Sequence, residues 1–163
     1  MRVLGIDPGT AILGWGVVEI QGVRATALDY GAVQTAKSLA AADRLAVIYS
    51  ALQEIVARWQ PEAAAVEKLY FGQNTRTALD VGQARGVALL VLAQNHLPMV
   101  ELTPAEVKQA ITGYGRADKS QMQRMVQRLL GLEAIPKPDD AADALAIALS
   151  GHDRHRMRDR WAP

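Results

Sequence analysis

The sequence predicts a single α/β domain in which a mixed five-stranded sheet carries helices on both faces. Three extended segments come first, at residues 2–6, 13–20 and 25–35, and only short turns separate them, as in an antiparallel meander. Two short apolar segments, 63–67 and 99–102, then alternate with segments of helical periodicity. That alternation is typical of strands that join a sheet through helices packed on its faces.

Apolar periodicity and capping residues define the predicted helices. Ser38 is predicted to cap the first helix, whose apolar residues recur at helical spacing as far as Trp59. Thr103, followed by a proline and then an acid at the third helical position, is a typical helix start. The predicted helices occupy residues 39–59, 77–95, 104–112, 119–130 (capped by Asp118) and 140–150, and residues 69–74 form a loop.

Length and composition limit the class of protein. The 163 residues suit one domain, which we expect over residues 1–151, followed by a frayed, polar, Arg-rich tail at 152–163. The sequence contains no cysteine, which excludes disulfides and thiolate-bound metals. The longest strictly apolar run, residues 87–93, is far too short to cross a bilayer. We therefore expect a cytoplasmic protein without a membrane segment.

Four acidic residues stand where elements of structure end or begin. Asp7 ends the first strand at a turn, and Glu67 ends the strand at residues 63–67. Asp140 and Asp143 lie one helical turn apart at the start of the last helix. Acids in a first turn also favour the helix dipole without any function. However, the apolar continuation of this helix requires deep packing, which would carry its acids toward the sheet.

Convergence of these four carboxylates would make an all-oxygen site without His or Cys ligands. Such a site suits Mg²⁺ or Mn²⁺ better than Zn²⁺. Without a cation the carboxylates would repel one another and raise one another's pKa values. If the four acids share a pocket, the 18 Lys and Arg residues exceed the remaining acids by five. An acidic pocket in a basic surround is the arrangement that a metal-dependent nuclease needs.

Six short motifs occur in order along the chain. They are Gly5-Ile6-Asp7-Pro8-Gly9, Ala65-Val66-Glu67, Gly82-Gln83-Ala84-Arg85-Gly86, Val107-Lys108-Gln109, Asp118-Lys119-Ser120-Gln121 and Asp140-Ala141-Ala142-Asp143-Ala144-Leu145-Ala146. Each motif is weak alone, whereas all six in this order are specific. On these residues the chain resembles the bacterial RuvC-type Holliday-junction resolvases, a family of ribonuclease H-like fold, over residues 3–151.

The resemblance implies roles for individual residues. Asp7, Glu67, Asp140 and Asp143 would form a catalytic tetrad that binds two divalent cations, Mg²⁺ or Mn²⁺. Register favours Asp140, while Asp139 beside it is an alternative as a helix cap or competing ligand. DNA contacts would come from Lys108, from Lys119 (also a catalytic residue), from Tyr70, which stands where the family usually has a base-stacking Phe, and from Phe71 and Arg76. Phe71 is equally well explained as a residue that packs the loop onto the domain.

The implied activity is resolution of four-way DNA junctions in recombination and repair. Paired nicks would leave a 5′-phosphate and a 3′-hydroxyl. The partners would be junction DNA, a second copy of the chain bound through the helix at 77–95, and a branch-migration helicase complex. Leu89 or Leu92 would lie on the outward face of that helix, and the sequence does not decide which of the two faces the partner.

Three other readings remain open. Another ribonuclease H-like nuclease would cut RNA–DNA hybrids or simple duplexes. An actin-like ATPase shares the turn after Asp7 but needs two domains, for which the chain has no room. A DNA-binding module without catalysis would have no need for a buried acidic cluster.

Overall fold

The computed structural model describes residues 1–68 and 75–161. Within these ranges it describes the side chains of all residues except 75–77 and 156–161. Its strands are β1 (Arg2–Asp7), β2 (Ile12–Gln21), β3 (Arg24–Gln34), β4 (Ala63–Glu67) and β5 (Met99–Leu102). Its helices are α1 (Ala41–Trp59), α2 (Thr75–Gln94), α3 (Pro104–Thr112), α4 (Lys119–Leu130) and α5 (Asp139–Trp161). Among these helices, none is long and apolar enough to cross a membrane.

All five strands form one mixed sheet in the order β3-β2-β1-β4-β5. β2 pairs antiparallel with both β1 and β3, so the first three strands form the predicted meander. β4 runs parallel to β1, and β5 runs parallel to β4. Both parallel connections pass through a helix, as such connections require. The five-stranded mixed sheet predicted from the sequence is therefore confirmed.

Each face of the sheet has its own hydrophobic core. Leu4, Ile6 and Val66 pack with α1 and α2 on one face. Val3 and Ala65 pack with α3, α4 and α5 on the other. Because successive strand residues point to opposite faces, the alternation in β1 and β4 directs their last residues, both acidic, toward the α5 face. Helices cover both faces, as predicted.

Helix α5 lies directly against β1 and β2 because three strand positions lack a side chain. A Cβ atom at Gly5 would collide with the backbone of Ala144, and one at Gly14 would collide with the backbone of Asp140. A Cβ atom at Gly16 would press on the side chain of Leu145. The position of α5 over these strands is therefore fixed by backbone contact rather than by long side chains, which leaves little freedom for sliding.

The end of α5 corrects the sequence prediction. The helix does not end at Ser150 before a frayed tail but continues to Trp161. His152 and His155 are buried, and the His155 Nε2 atom donates to the carbonyl oxygen of Ala64 at 3.0 Å. The sequence did not indicate these buried histidines, because most of the other residues of segment 152–163 are charged and typical of a solvated tail.

Helix starts were predicted with mixed success. The capping boxes at Thr103 and Asp118 are both present, as the sequence indicated. By contrast, α1 begins at Ala41 without a side-chain cap, so the predicted cap at Ser38 is wrong. α2 begins at Thr75, two residues earlier than predicted. The predicted loop at 69–74, with Tyr70 and Phe71, lies outside the described residues, as does the side chain of Arg76.

Gly5→Ala should destabilise the protein by roughly 1–3 kcal/mol, because the new methyl group overlaps the α5 backbone and the helix must move. Urea denaturation measures the loss. Gly115→Ala is the matched control, since a Cβ atom there meets its nearest neighbours at 3.7 and 3.8 Å, an ordinary contact distance. If the two variants were equally stable, the packing of α5 on β1 would not depend on the absence of a side chain at Gly5.

Candidate active site

Asp7 and Glu67 lie side by side at one edge of the sheet. The parallel register pairs Gly5 with Ala65 and Ile6 with Val66, so the next residue of each strand is an acid. The carboxyl ends of both strands open at the same edge, where ligands of α/β proteins usually bind. Both acids also point toward α5, as the strand alternation requires.

The start of α5 brings two further acids to the same edge. Asp7 pairs with Gly14 across the antiparallel β1–β2 ladder. The backbone of Asp140 lies against Gly14, at the position that a side chain would otherwise fill. Asp143 follows one turn later on the same face of the helix. The missing side chain at Gly14 therefore allows the first turn of α5 to approach Asp7.

The pKa of Asp7 is raised because the residue is buried and several carboxylates converge around it. The pKa of Asp7 is raised from 3.8 to about 8, first by burial and then by the nearby carboxylates of Glu67, Asp143 and Asp140, in that order, while Lys119 opposes them. Asp7 is therefore about half protonated near pH 8 in the absence of a further cation. A carboxyl group with such a pKa marks a functional site more often than a structural ion pair.

Glu67 and Asp143 show the same effect in the same direction. The pKa of Glu67 is raised by burial and then by Asp143, whereas Lys108 lowers it. Burial also raises the pKa of Asp143, against the effect of Lys119. Three of the four predicted acids therefore resist ionisation, because each is buried beside other carboxylates.

Two lysines and two of these acids line one cavity. The cavity, of about 240 Å³, lies between β4, α3, α4 and α5, and is lined by Glu67, Pro104, Val107, Lys108, Lys119, Met122, Asp143, Ala146 and Ile147. The Nζ atom of Lys119 is 3.5 Å from the Asp143 carboxylate. The two lysines predicted to contact DNA thus stand beside the acids in the folded chain.

Asp139 has a different environment from the other acids. Its carboxylate forms ion pairs with Lys137 at 2.7 Å and with Lys119 at 3.3 Å. Hydrogen bonds from these two lysines lower its pKa to about 2. Asp139 is not among the charges that raise the pKa of Asp7. The geometry therefore favours Asp140 as the member of the acidic cluster and gives Asp139 the part of holding Lys119.

Lys137 and Arg85 were not predicted as site residues. Lys137 lies beside Asp139, as described above. Arg85 donates from Nε to the backbone carbonyl of Glu67 at 3.3 Å and forms an ion pair with Glu101. Arg85 belongs to one of the six sequence motifs, at residues 82–86. Nothing in that motif indicates that the Arg85 side chain reaches the end of β4.

The donor set at this edge fits a hard cation. Four carboxylates supply oxygen ligands only, and their mutual repulsion is relieved when a cation neutralises them. Among the side chains that the structure describes, no group of three or more His, Asp or Glu residues could hold a metal ion with its present side-chain positions. Binding a cation here would therefore require the carboxylates to rotate toward a common point.

Comparison with known proteins identifies the family. The family model for crossover junction endodeoxyribonuclease RuvC matches residues 3–152. The chain belongs to the RuvC family. The crossover junction endodeoxyribonuclease RuvC of Chloroflexus aggregans is 58% identical over 149 residues, which cover 91% of each chain.

Solved RuvC structures share the same architecture. The RuvC structure of Thermus thermophilus is 39% identical and aligns with a TM-score of 0.89, covering 96% of both chains. A second T. thermophilus RuvC structure, in complex with Holliday junction substrate, aligns with a TM-score of 0.91 at the same identity and coverage. The sequence resemblance to a RuvC-type resolvase of ribonuclease H-like fold is thereby confirmed.

The metal-free protein should lose stability as pH rises from about 4 to 8. In this range Asp7 keeps its proton when folded, with a pKa of about 8, but loses it when unfolded, with a pKa of 3.8. The unfolded state then binds fewer protons, so the free energy of unfolding falls by up to about 1.4 kcal/mol per pH unit for one such group. Urea denaturation in EDTA at several pH values measures this slope.

Asp7→Asn is the matched variant for this test. It should reduce the slope and be more stable than wild type near pH 8, because the amide stays neutral in both states. Excess Mg²⁺ or Mn²⁺ should stabilise the wild type most at the higher pH values, where the cation competes least with protons. Identical pH profiles for wild type and variant would refute the assignment of a raised pKa to Asp7.

Proposed function

We propose that this chain resolves four-way DNA junctions by hydrolysing a phosphodiester bond at the cluster of Asp7, Glu67, Asp140 and Asp143. The enzyme class, a crossover junction endodeoxyribonuclease, follows from membership of the RuvC family. The observation that supports the site is the raised pKa of Asp7, which burial and three other carboxylates produce at one edge of the sheet. The work of this enzyme belongs to homologous recombination and DNA repair.

The RuvC family consists of metal-dependent nucleases. The finer proposal is that the four carboxylates hold two Mg²⁺ or Mn²⁺ ions. When bound, these ions supply neutralisation of the scissile phosphate and activation of a water molecule. The carboxylates, which are half-buried, hold the ions at the edge of the sheet. Their all-oxygen chemistry disfavours zinc.

The reaction is a hydrolysis that needs no other co-reactant. A water oxygen forms a bond to phosphorus, the bond from phosphorus to the 3′ oxygen breaks, and that oxygen takes up a proton. The products are a 5′-phosphate and a 3′-hydroxyl, which a ligase can rejoin. In this proposal the catalytic Lys119, 3.5 Å from Asp143, provides positive charge where negative charge develops on the phosphate.

DNA contacts follow from the arrangement of the lysines and from the family resemblance. Lys108 faces the acids across the 240 Å³ cavity and is proposed to bind a phosphate near the cleavage point. Tyr70, Phe71 and Arg76 are proposed to contact DNA on the resemblance alone. The aromatic ring of Tyr70 would stack on the unstacked bases at a crossover, an interaction worth about 1–3 kcal/mol.

Replacement of single acids tests the site. Asp7→Asn, Glu67→Gln and Asp143→Asn should each lower the cleavage rate of a synthetic four-way junction by at least about a hundredfold, since each removes a cation ligand. Junction binding should be retained, because affinity for phosphates comes from basic residues. The assay measures nicks on a labelled junction in Mg²⁺ or Mn²⁺, with gel-shift measurements of binding alongside.

Asp139→Asn is the matched control for these variants. This substitution removes a carboxylate from the same helix turn but not from the cluster. The cleavage rate should therefore fall much less than in the variants of the cluster. If Asp139→Asn abolished cleavage while an Asp140→Asn variant cleaved normally, Asp139 and not Asp140 would belong to the tetrad. Linear duplex and RNA–DNA hybrid serve as control substrates, and preferential cleavage of the hybrid would contradict the proposal.

A homodimer through α2 is the second part of the proposal. Leu79 and Leu90 are 66% and 50% exposed, and Gly86 between them opens to free space. With Gln83 and Ala93, which are also exposed, they recur at helical spacing along one face of α2. Such an apolar stripe suits a symmetric contact with a second copy. Paired nicks require two active sites, and each chain supplies one.

The structure corrects the expected outward leucines of α2. Leu92 is fully buried, and Leu89 packs against the core under α1 and α2. Leu90→Glu, rather than a change at either of those positions, should therefore convert the dimer to a monomer without unfolding it. Sedimentation at micromolar concentration measures the change. Leu129→Glu on α4, where the leucine is 46% exposed, is the control and should leave the dimer intact. A wild-type monomer that resolves junctions fully would refute the dimer.

Two further parts of the proposal rest on the family resemblance alone. We place the enzyme in the cytoplasm, together with its DNA substrate. We also propose that it works with a branch-migration helicase complex, which would deliver junctions to the active site.

A further inference from the structure

A second cavity opens at the same edge of the sheet as the acids, but on the side of α1 and α2. Its volume is about 460 Å³, and we call it the basic cavity. It is lined by Gly9, Thr10, Ala11, Ile12, Lys37, Arg44, Asp80 and Val81. The first three of these residues belong to the turn that follows Asp7, and Ile12 begins β2, so the basic cavity and the acidic cluster share this turn.

The two cations of the basic cavity lack acidic partners. Among the residues that the structure describes, neither Lys37 nor Arg44 forms an ion pair with a carboxylate. Arg44 donates from Nε to the hydroxyl of Thr35 at 2.7 Å, and within the described part of the chain its two terminal amino groups have no acceptor. A guanidinium fixed at one end with its donors free is well suited to bind a phosphate oxygen.

Buried hydroxyl groups fix the position of Arg44 relative to the turn. The hydroxyl of Thr35 donates to the carbonyl oxygen of Thr10 at 2.6 Å, and the Thr10 hydroxyl donates to the carbonyl oxygen of Asp80. Both threonines are only 8% exposed. The hydrogen-bonded path therefore joins α1, the end of β3, the turn after Asp7, and α2 into one unit.

We propose that the basic cavity binds a backbone phosphate of the DNA substrate other than the phosphate that is cut. This inference rests on the proposed function, because it takes the acidic cluster as the cleavage site. Gly9 lies two residues beyond Asp7, so their Cα atoms are at most about 7 Å apart. Single-strand phosphates recur about every 3.4 Å along the axis of a duplex, so a phosphate a few nucleotides from the cut can reach the basic cavity.

Asp80 allows a test of the proposal by the direction in which DNA affinity changes. Among the described residues that line the basic cavity it is the one acid, its side chain is exposed, and its carboxylate forms no ion pair with either cation. A bound phosphate would feel the attraction of Lys37 and Arg44 and the repulsion of Asp80. Removing a cation and removing the anion should therefore change DNA affinity in opposite directions.

The experiment measures binding of a four-way junction in EDTA over a series of salt concentrations. Lys37→Gln and Arg44→Gln should each weaken binding about tenfold and reduce the slope of log K against log salt by about 0.9, the value for one phosphate contact. Asp80→Asn should tighten binding. Arg24→Gln, which removes an exposed charge at the opposite edge of the sheet, is the control and should leave affinity and slope unchanged.

Thr35→Val separates charge from structure, because it breaks the hydrogen-bonded path while both cations remain. It should keep the wild-type salt slope. If it lowers the slope as much as Arg44→Gln does, Arg44 acts through the turn and the phosphate site is wrong. Wild-type affinity and slope in both cation variants would also overturn the inference, while intact junction cleavage would leave the proposed function standing.

Titration with inorganic phosphate distinguishes a DNA phosphate from a free anion. If Lys37→Gln and Arg44→Gln abolish binding of inorganic phosphate but leave junction binding unchanged, the basic cavity takes a free anion and the proposal is wrong. A wild-type protein that neither binds nor cuts junctions would refute the proposed function, and this inference with it.

Discussion

Direct backbone contact between α5 and the strands beneath it is the constraint on which the site depends. Gly5, Gly14 and Gly16 remove the side chains that would hold the helix away from β1 and β2. The first turn of α5 then reaches the strand ends, and short aspartate side chains suffice to meet Asp7 and Glu67. A helix held farther from the sheet would need longer side chains, which lose more rotamer freedom when they are fixed.

The same contact brings several carboxylates close together, and their mutual repulsion opposes folding. Burial and repulsion raise the pKa values of Asp7, Glu67 and Asp143, so each would be stabilised by a neighbouring cation. Lys119 meets part of this need, since it lies within ion-pair distance of Asp143 and Asp139. Such a cluster of carboxylates thus reduces the stability of the protein when no cation is bound, a cost that active sites commonly impose.

Sequence reasoning located the acids because their positions follow from local rules. A strand that ends in an acid places it at the sheet edge, and the two-residue alternation selects its face, as with Asp7 and Glu67. Contacts between segments distant in the sequence were beyond such rules. The burial of His155 against β4, the outward direction of Leu90 and the reach of Arg85 to Glu67 each depend on which elements become neighbours, and no local pattern encodes that.

Helix α2 braces both acid-bearing strand ends at once. Its Asp80 carbonyl accepts the hydroxyl of Thr10 just beyond Asp7, and its Arg85 side chain donates to the backbone of Glu67. Since one helix holds both ends, a rigid-body shift of α2 carries Asp7 and Glu67 along together and preserves the gap between their carboxylates. Strain that a partner applies to the outer face of α2 would therefore reach both strand ends together, and because α5 lies directly on the backbone of β1 and β2, the helix would move with the strands rather than slide past them.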